Sequence, residues 1–122
     1  MSLKDYPHTP DGRYFVANGK LWRCSNPRLT PAGRKALMKN LMAARRKVKE
    51  VQNNERLLRA ARRQVNAAKE ALGERGPVWW DDGAPDETMK HPKGSSYADW
   101  WDSLPEEAKE RGLAAPRSAR TD

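Results

Sequence analysis

This sequence predicts a mainly α-helical fold: an antiparallel two-helix hairpin, a small N-terminal β-hairpin and an extended, tryptophan-rich C-terminal segment. Three observations carry that expectation. Two heptad-spaced apolar seams follow one another in residues 31–72. Two β-prone runs flank Asn18-Gly19. Residues 77–104 lose periodicity while gathering four of the five tryptophans.

Residues 1–10 contain two prolines and little apolar content, and are expected to form a flexible tail. In residues 13–24, RYFVA and KLWRC flank Asn-Gly, the pair best suited to a two-residue type I′ turn. Alternation places Tyr14, Val16, Leu21 and Arg23 in one set and Phe15, Trp22 and Cys24 in the other. Apolar groups on both faces imply that the hairpin packs on something, and one end of the helical unit is the expected support.

Thr30-Pro31 reads as a helix start, with threonine to cap the free amides and proline at the first helical position. Leu37, Leu41, Ala44, Val48 and Val51 then recur at spacings of 4, 3, 4 and 3, a heptad seam. The pattern lapses at Gln52-Asn53-Asn54. It resumes at Leu58, Ala61, Val65, Ala68 and Leu72, and Gly73 supplies the stop. Helices are therefore expected over 31–52 and 55–72. Folding them back on each other buries both seams within one small chain. One continuous helix is the competing reading, because neither glycine nor proline interrupts residues 34–72.

Beyond Gly76-Pro77 a turn-rich strap (77–104) follows, with Tyr97, Trp100, Trp101 and Leu104 at helical spacing before Pro105. Residues 105–122 are expected to give a short helix and a disordered tail. The whole of 11–104 is read as a single small domain. Its core is expected to form as Trp79, Trp80, Trp100 and Trp101 dock in the grooves of the helical hairpin, which would bring their aspartate neighbours close to its arginines.

Charge is the feature that bears most on function. The net charge of +8 is uneven: residues 31–72 carry twelve basic and three acidic side chains, whereas residues 73–112 carry five basic and ten acidic. In the heptad frame with Leu41 at position a, Arg45, Arg46, Lys47 and Lys49 lie off the seam, as do Arg56, Arg59, Arg62, Arg63 and Lys69. Such a face invites an anionic partner, and nucleic acid phosphate is the obvious one. The plainer alternative is a solvated surface whose charges are answered by the acidic strap. Arg45, Arg46, Lys49, Arg59, Arg62 and Arg63 are the candidate phosphate contacts.

Other chemistries find little support. Cys24 is the lone cysteine, which excludes an internal disulfide, and its strand position suggests a packing role. His8, His91, Asp81, Asp82 and Asp86 lack the spacing of a metal site, so neither metal nor cofactor is expected. No nucleophile–base pattern or glycine-rich phosphate loop occurs, which argues against an enzyme and a small-molecule substrate. No apolar run approaches a membrane span, and the N-terminus lacks a signal-peptide stretch, so a cytoplasmic protein is expected.

Several segments together, DGRYFVANGKLWRCSNP, LMAARR, ALGERGPVWWDDGAPD and SYADWW, resemble a family of short bacterial proteins of uncharacterised function. The resemblance spans roughly residues 11–102 and implies a free-standing unit. It implies no activity and no site residue. The functional expectation is a small non-enzymatic binding protein that contacts nucleic acid phosphates. A self-associating interaction module, a homodimer built through the helices, is the alternative.

Overall fold

A computed structural model describes residues 6–114 of the chain. They fall into two compact units, one formed by residues 25–79 and the other drawn from both sides of it, residues 6–24 and 80–114.

The helical unit contains α1 (Pro31–Glu50) and α2 (Glu55–Leu72). Thr30 caps α1 by accepting from the Gly33 amide, and Pro31 occupies the first turn. The helix ends two residues earlier than the sequence predicts. Val51 leaves helical geometry at φ −108°, ψ 24°, and the side chain of Asn54 caps α2 by accepting from the Leu57 amide at 3.0 Å. The chain therefore folds back at residues 51–54, and the single long helix is not formed. Leu41, Ala44, Val48 and Val51 pack with Ala61, Val65, Ala68 and Leu72, the two seams expected from spacing, with Leu29, Leu37, Met38 and Leu58 at their margin.

Gly73 closes α2 in the left-handed conformation, φ 87°. A Cβ there would approach Trp79 and Asn26 to about 3 Å, and the Asn26 amide donates to the Leu72 carbonyl at 2.8 Å. The unit thus begins and ends beside the same helix terminus.

In the second unit, β1 (Tyr14–Ala17) pairs antiparallel with β2 (Lys20–Arg23), with Val16 opposite Leu21 and Tyr14 opposite Arg23. Asn18 and Gly19 both have positive φ, 54° and 71°, as a type I′ turn requires. Tyr14, Val16, Leu21 and Arg23 are buried, as alternation predicts. Both ribbon edges are covered. On one side Thr9 donates to Tyr14 and Val16 donates to Pro7. On the other, Leu21 donates to Lys90 and Met89 donates to Leu21. Edge amides satisfied in this way stabilise a ribbon that would be marginal alone.

Residues 6–10, expected within a flexible tail, are part of this packing, with Tyr6 and Thr9 each 3% exposed. Residues 1–5 and the expected disordered tail over 115–122 lie outside the described residues.

The strap then forms a 3₁₀ turn (Pro92–Gly94), α3 (Ala98–Ser103) and α4 (Glu106–Leu113). The carbonyls of Gly112 and Ala114, at the end of α4, accept the amides of Gly19 and Asn18 in the hairpin turn. Carbonyls that a helix end leaves open and amides that a tight turn leaves open thereby satisfy one another.

The tryptophans correct the sequence reading. Trp80 is 7% exposed and meets Tyr14 edge-on with ring centroids 5.6 Å apart. Tyr97 packs on Tyr14 at the same separation, Trp101 is 3% exposed, and Trp100 lies against Tyr97 and Trp101. These rings cover the inner face of the β-hairpin, which presents Tyr14, Val16 and Leu21 and must bury them. Only Trp79 of the expected four packs in the helical unit, at the Gly73 cap rather than along the seam.

Candidate nucleic-acid interface

The fold-back concentrates charge. The second half of α1 and the first half of α2 lie at one end of the hairpin, around the 51–54 turn. Residues 45–63 hold eight Lys and Arg side chains against two acids, Glu50 and Glu55. Of the six residues singled out from sequence, Arg46, Lys49, Arg59, Arg62 and Arg63 are exposed and Arg45 is half-buried. All six belong to this end.

Their orientation follows from the seams. With Leu41 and Leu58 at position a, Arg45 and Arg62 fall at e, while Lys49 and Arg59 fall at b. In an antiparallel pair the e positions of both helices border the same side of the seam, and b positions widen that side. Four candidates therefore share one broad side of the hairpin. Arg46 and Arg63, at f, point from the backs of their helices.

Neutralisation is sparse. Among the described residues, Arg45, Arg46, Lys47, Lys49, Arg56, Arg62 and Arg63 make no ion pair. Arg59 meets Glu55 at 3.4 Å, a pair with both partners well exposed. Such a pair contributes a few tenths of a kcal/mol at most. Like charges three or four residues apart, as at Arg59 and Arg63, oppose helix formation by a similar amount. The Nε of Arg45 is enclosed and has no hydrogen-bond partner. Along α2 the arginines Arg59, Arg62 and Arg63 edge a shallow open groove of about 650 Å³ that ends at Asn66, Ala67 and Glu70.

Three acids of the strap, Asp82, Asp86 and Glu87, are engaged within their own unit and not by the helical arginines. Arg13 forms a salt bridge with Asp82 and stacks 4.7 Å over the Trp80 ring. That bond holds the Asp82 carboxyl below the usual carboxylate range. Burial pushes Asp86 up, but hydrogen bonds from the Thr88 hydroxyl and amide, helped by Arg23, hold it below its ordinary value. Glu87 is 6% exposed and accepts from the Ser96 amide and hydroxyl. Those bonds outweigh its burial and lower its pKa. Asp11 is raised by burial but lowered more by the Tyr97 and Thr9 hydroxyls, and burial together with that bond to Asp11 raises Tyr97. This network joins partners up to 86 residues apart, which composition and periodicity do not reveal.

Among the described residues, no three His, Cys, Asp or Glu side chains gather as metal ligands would, and no helix is long and apolar enough to cross a membrane. No family model matches the chain, and neither the curated proteins nor the solved structures contain a match.

Proposed function

We propose that this chain is a small, non-enzymatic, cytoplasmic binding protein whose basic helical hairpin contacts nucleic acid phosphates without sequence specificity. The supporting observation is the gathering of eight cations in residues 45–63, of which only Arg59 has an acidic partner among the described residues. Arg45, Arg46, Lys49, Arg59, Arg62 and Arg63 carry the contacts. Each phosphate neutralised contributes about 0.9 to the slope of log affinity against log salt on duplex DNA, so six contacts give a slope of about −5. Replacing all six by glutamine, with helicity checked by circular dichroism, is expected to weaken binding and flatten that slope. Unchanged affinity and slope in a folded variant would overturn the assignment.

A second reading, self-association through the helices, is favoured by Met42 and Leu57, apolar side chains of this hairpin that are 45% and 46% exposed. Solution mass that doubles with rising protein concentration supports it, and a strict monomer removes it.

A further inference from the structure

Accepting the phosphate-binding reading, we infer that the broad basic side of the hairpin selects double-stranded over single-stranded nucleic acid. Two rows of cations line this side. Arg45 and Lys49 lie on α1, and Arg62 and Arg59 lie on α2, all at e and b positions of the same side. Packed helices hold their axes about 8–10 Å apart, and side chains at b positions splay outward, so the two rows run side by side with a wider gap between their charges. One strand supplies one line of phosphates and engages one row well. A duplex supplies two lines facing each other across a groove, so each row can meet its own backbone.

The residues between the cations point the same way. Proteins that hold single strands interleave their cations with rings on which unpaired bases stack. Here the next position on that side of α2 is Asn66, again at b, and neither α1 nor α2 contains an aromatic residue. The side offers charge to a backbone and nothing flat to a base. Two tryptophans of the other unit are enclosed: Trp80 and Trp101 are buried, and Trp80 carries Arg13 on its face.

The magnitudes separate the two ligands. The four contacts of this side contribute about 3.6 to the duplex salt slope, and two contacts to one strand contribute about 1.4. Between 50 and 200 mM salt, these contacts alone lower affinity by about 150-fold for duplex and about sevenfold for single strand.

The experiment uses the full chain and a mixed-sequence 24-mer DNA, as duplex and as its separate strands, titrated by fluorescence anisotropy across that salt range. The expected result at low salt is duplex binding at least about tenfold tighter, with the steeper slope. R45Q/K49Q and R59Q/R62Q, which each remove one row, are expected to lower the duplex slope by about two and bring the duplex-to-strand ratio toward one. R46Q/R63Q, on the backs of the helices, is expected to weaken both ligands alike. Equal or tighter binding of the single strands would overturn the selectivity and leave phosphate binding standing. No binding of either form at low salt would remove both.

Discussion

Replacing Gly112 by alanine tests the packing of the β-hairpin unit at its tightest point. A Cβ at this position would lie 2.9 Å from Cη2 and 3.0 Å from Cζ3 of Trp101, and 3.2 Å from Cγ1 of Val16. Both neighbours are enclosed, at 3% and 0% exposure, so neither side chain can swing into solvent. Overpacking of this kind costs about 1–3 kcal/mol. A counter-effect operates because Gly112 lies in the last turn of α4, where alanine is up to about 1 kcal/mol better than glycine. The steric term is larger, and a net destabilisation of about 1–2 kcal/mol is expected. In a unit this small that lowers Tm by about 4–8 °C per kcal/mol. Thermal and urea unfolding followed by tryptophan emission, to which Trp101 contributes with the other four tryptophans, would measure it. Gly94→Ala is the control, since a Cβ there meets nothing within 4 Å. Should Gly112→Ala match or exceed the wild-type stability while the control behaves as expected, α4 does not close against Trp101 and Val16 in this way.

Three further outcomes are expected. Tyr14→Phe removes the hydroxyl that accepts from the Glu87 amide at 2.8 Å and leaves that buried amide unpaired, a loss of about 1–3 kcal/mol readable by urea denaturation. Asn54→Ala removes the cap of α2 and is expected to cost about 1 kcal/mol, seen as reduced thermal stability of the signal at 222 nm. Asp11, Asp82, Asp86 and Glu87 all have folded-state pKa values below their ordinary ones. Their contribution to stability is therefore complete above the ordinary carboxylate range and is lost as pH falls through about 4 and below. Acid titration of tryptophan emission should show this loss, and Glu87→Gln should shrink its amplitude; a β-hairpin unit equally stable at pH 7 and pH 3 would contradict the network.

The sequence made some of this legible and hid the rest for identifiable reasons. Asn18-Gly19, Thr30-Pro31 and Gly73 act locally, through turn and cap geometry, and each sits where local rules place it. The seams from Leu41 to Leu72 were readable because helical periodicity marks one face whatever covers it. What covers the Tyr14–Val16–Leu21 face was not readable. An apolar face accepts any apolar partner, and the strap rings that fill it approach across some 65 to 85 residues of chain. The end of α1 was overestimated because Val51 continues the apolar spacing while its backbone has already turned. For the basic site, heptad position identified the off-seam cations. Their gathering at one end depended on the fold-back at residues 51–54, and the pairing of strap acids with Arg13 and Ser96 depended on long-range packing.

The adjacency of Asn26, Gly73 and Trp79 has a kinetic side. The stretch from Ser25 to Trp79 leaves and re-enters the other unit as a closed loop whose two ends meet at the terminus of α2. Until α1 and α2 pair, the segments 6–24 and 80–114 are tethered by a long flexible chain. Closing it costs about 0.6 kcal/mol for each doubling of length, or about 2 kcal/mol more than a six-residue linker would. Contacts within the helical pair are local, and such contacts form early. The helical pair therefore acts as a staple, shortening the effective tether and raising the concentration at which the two halves of the β-hairpin unit find each other.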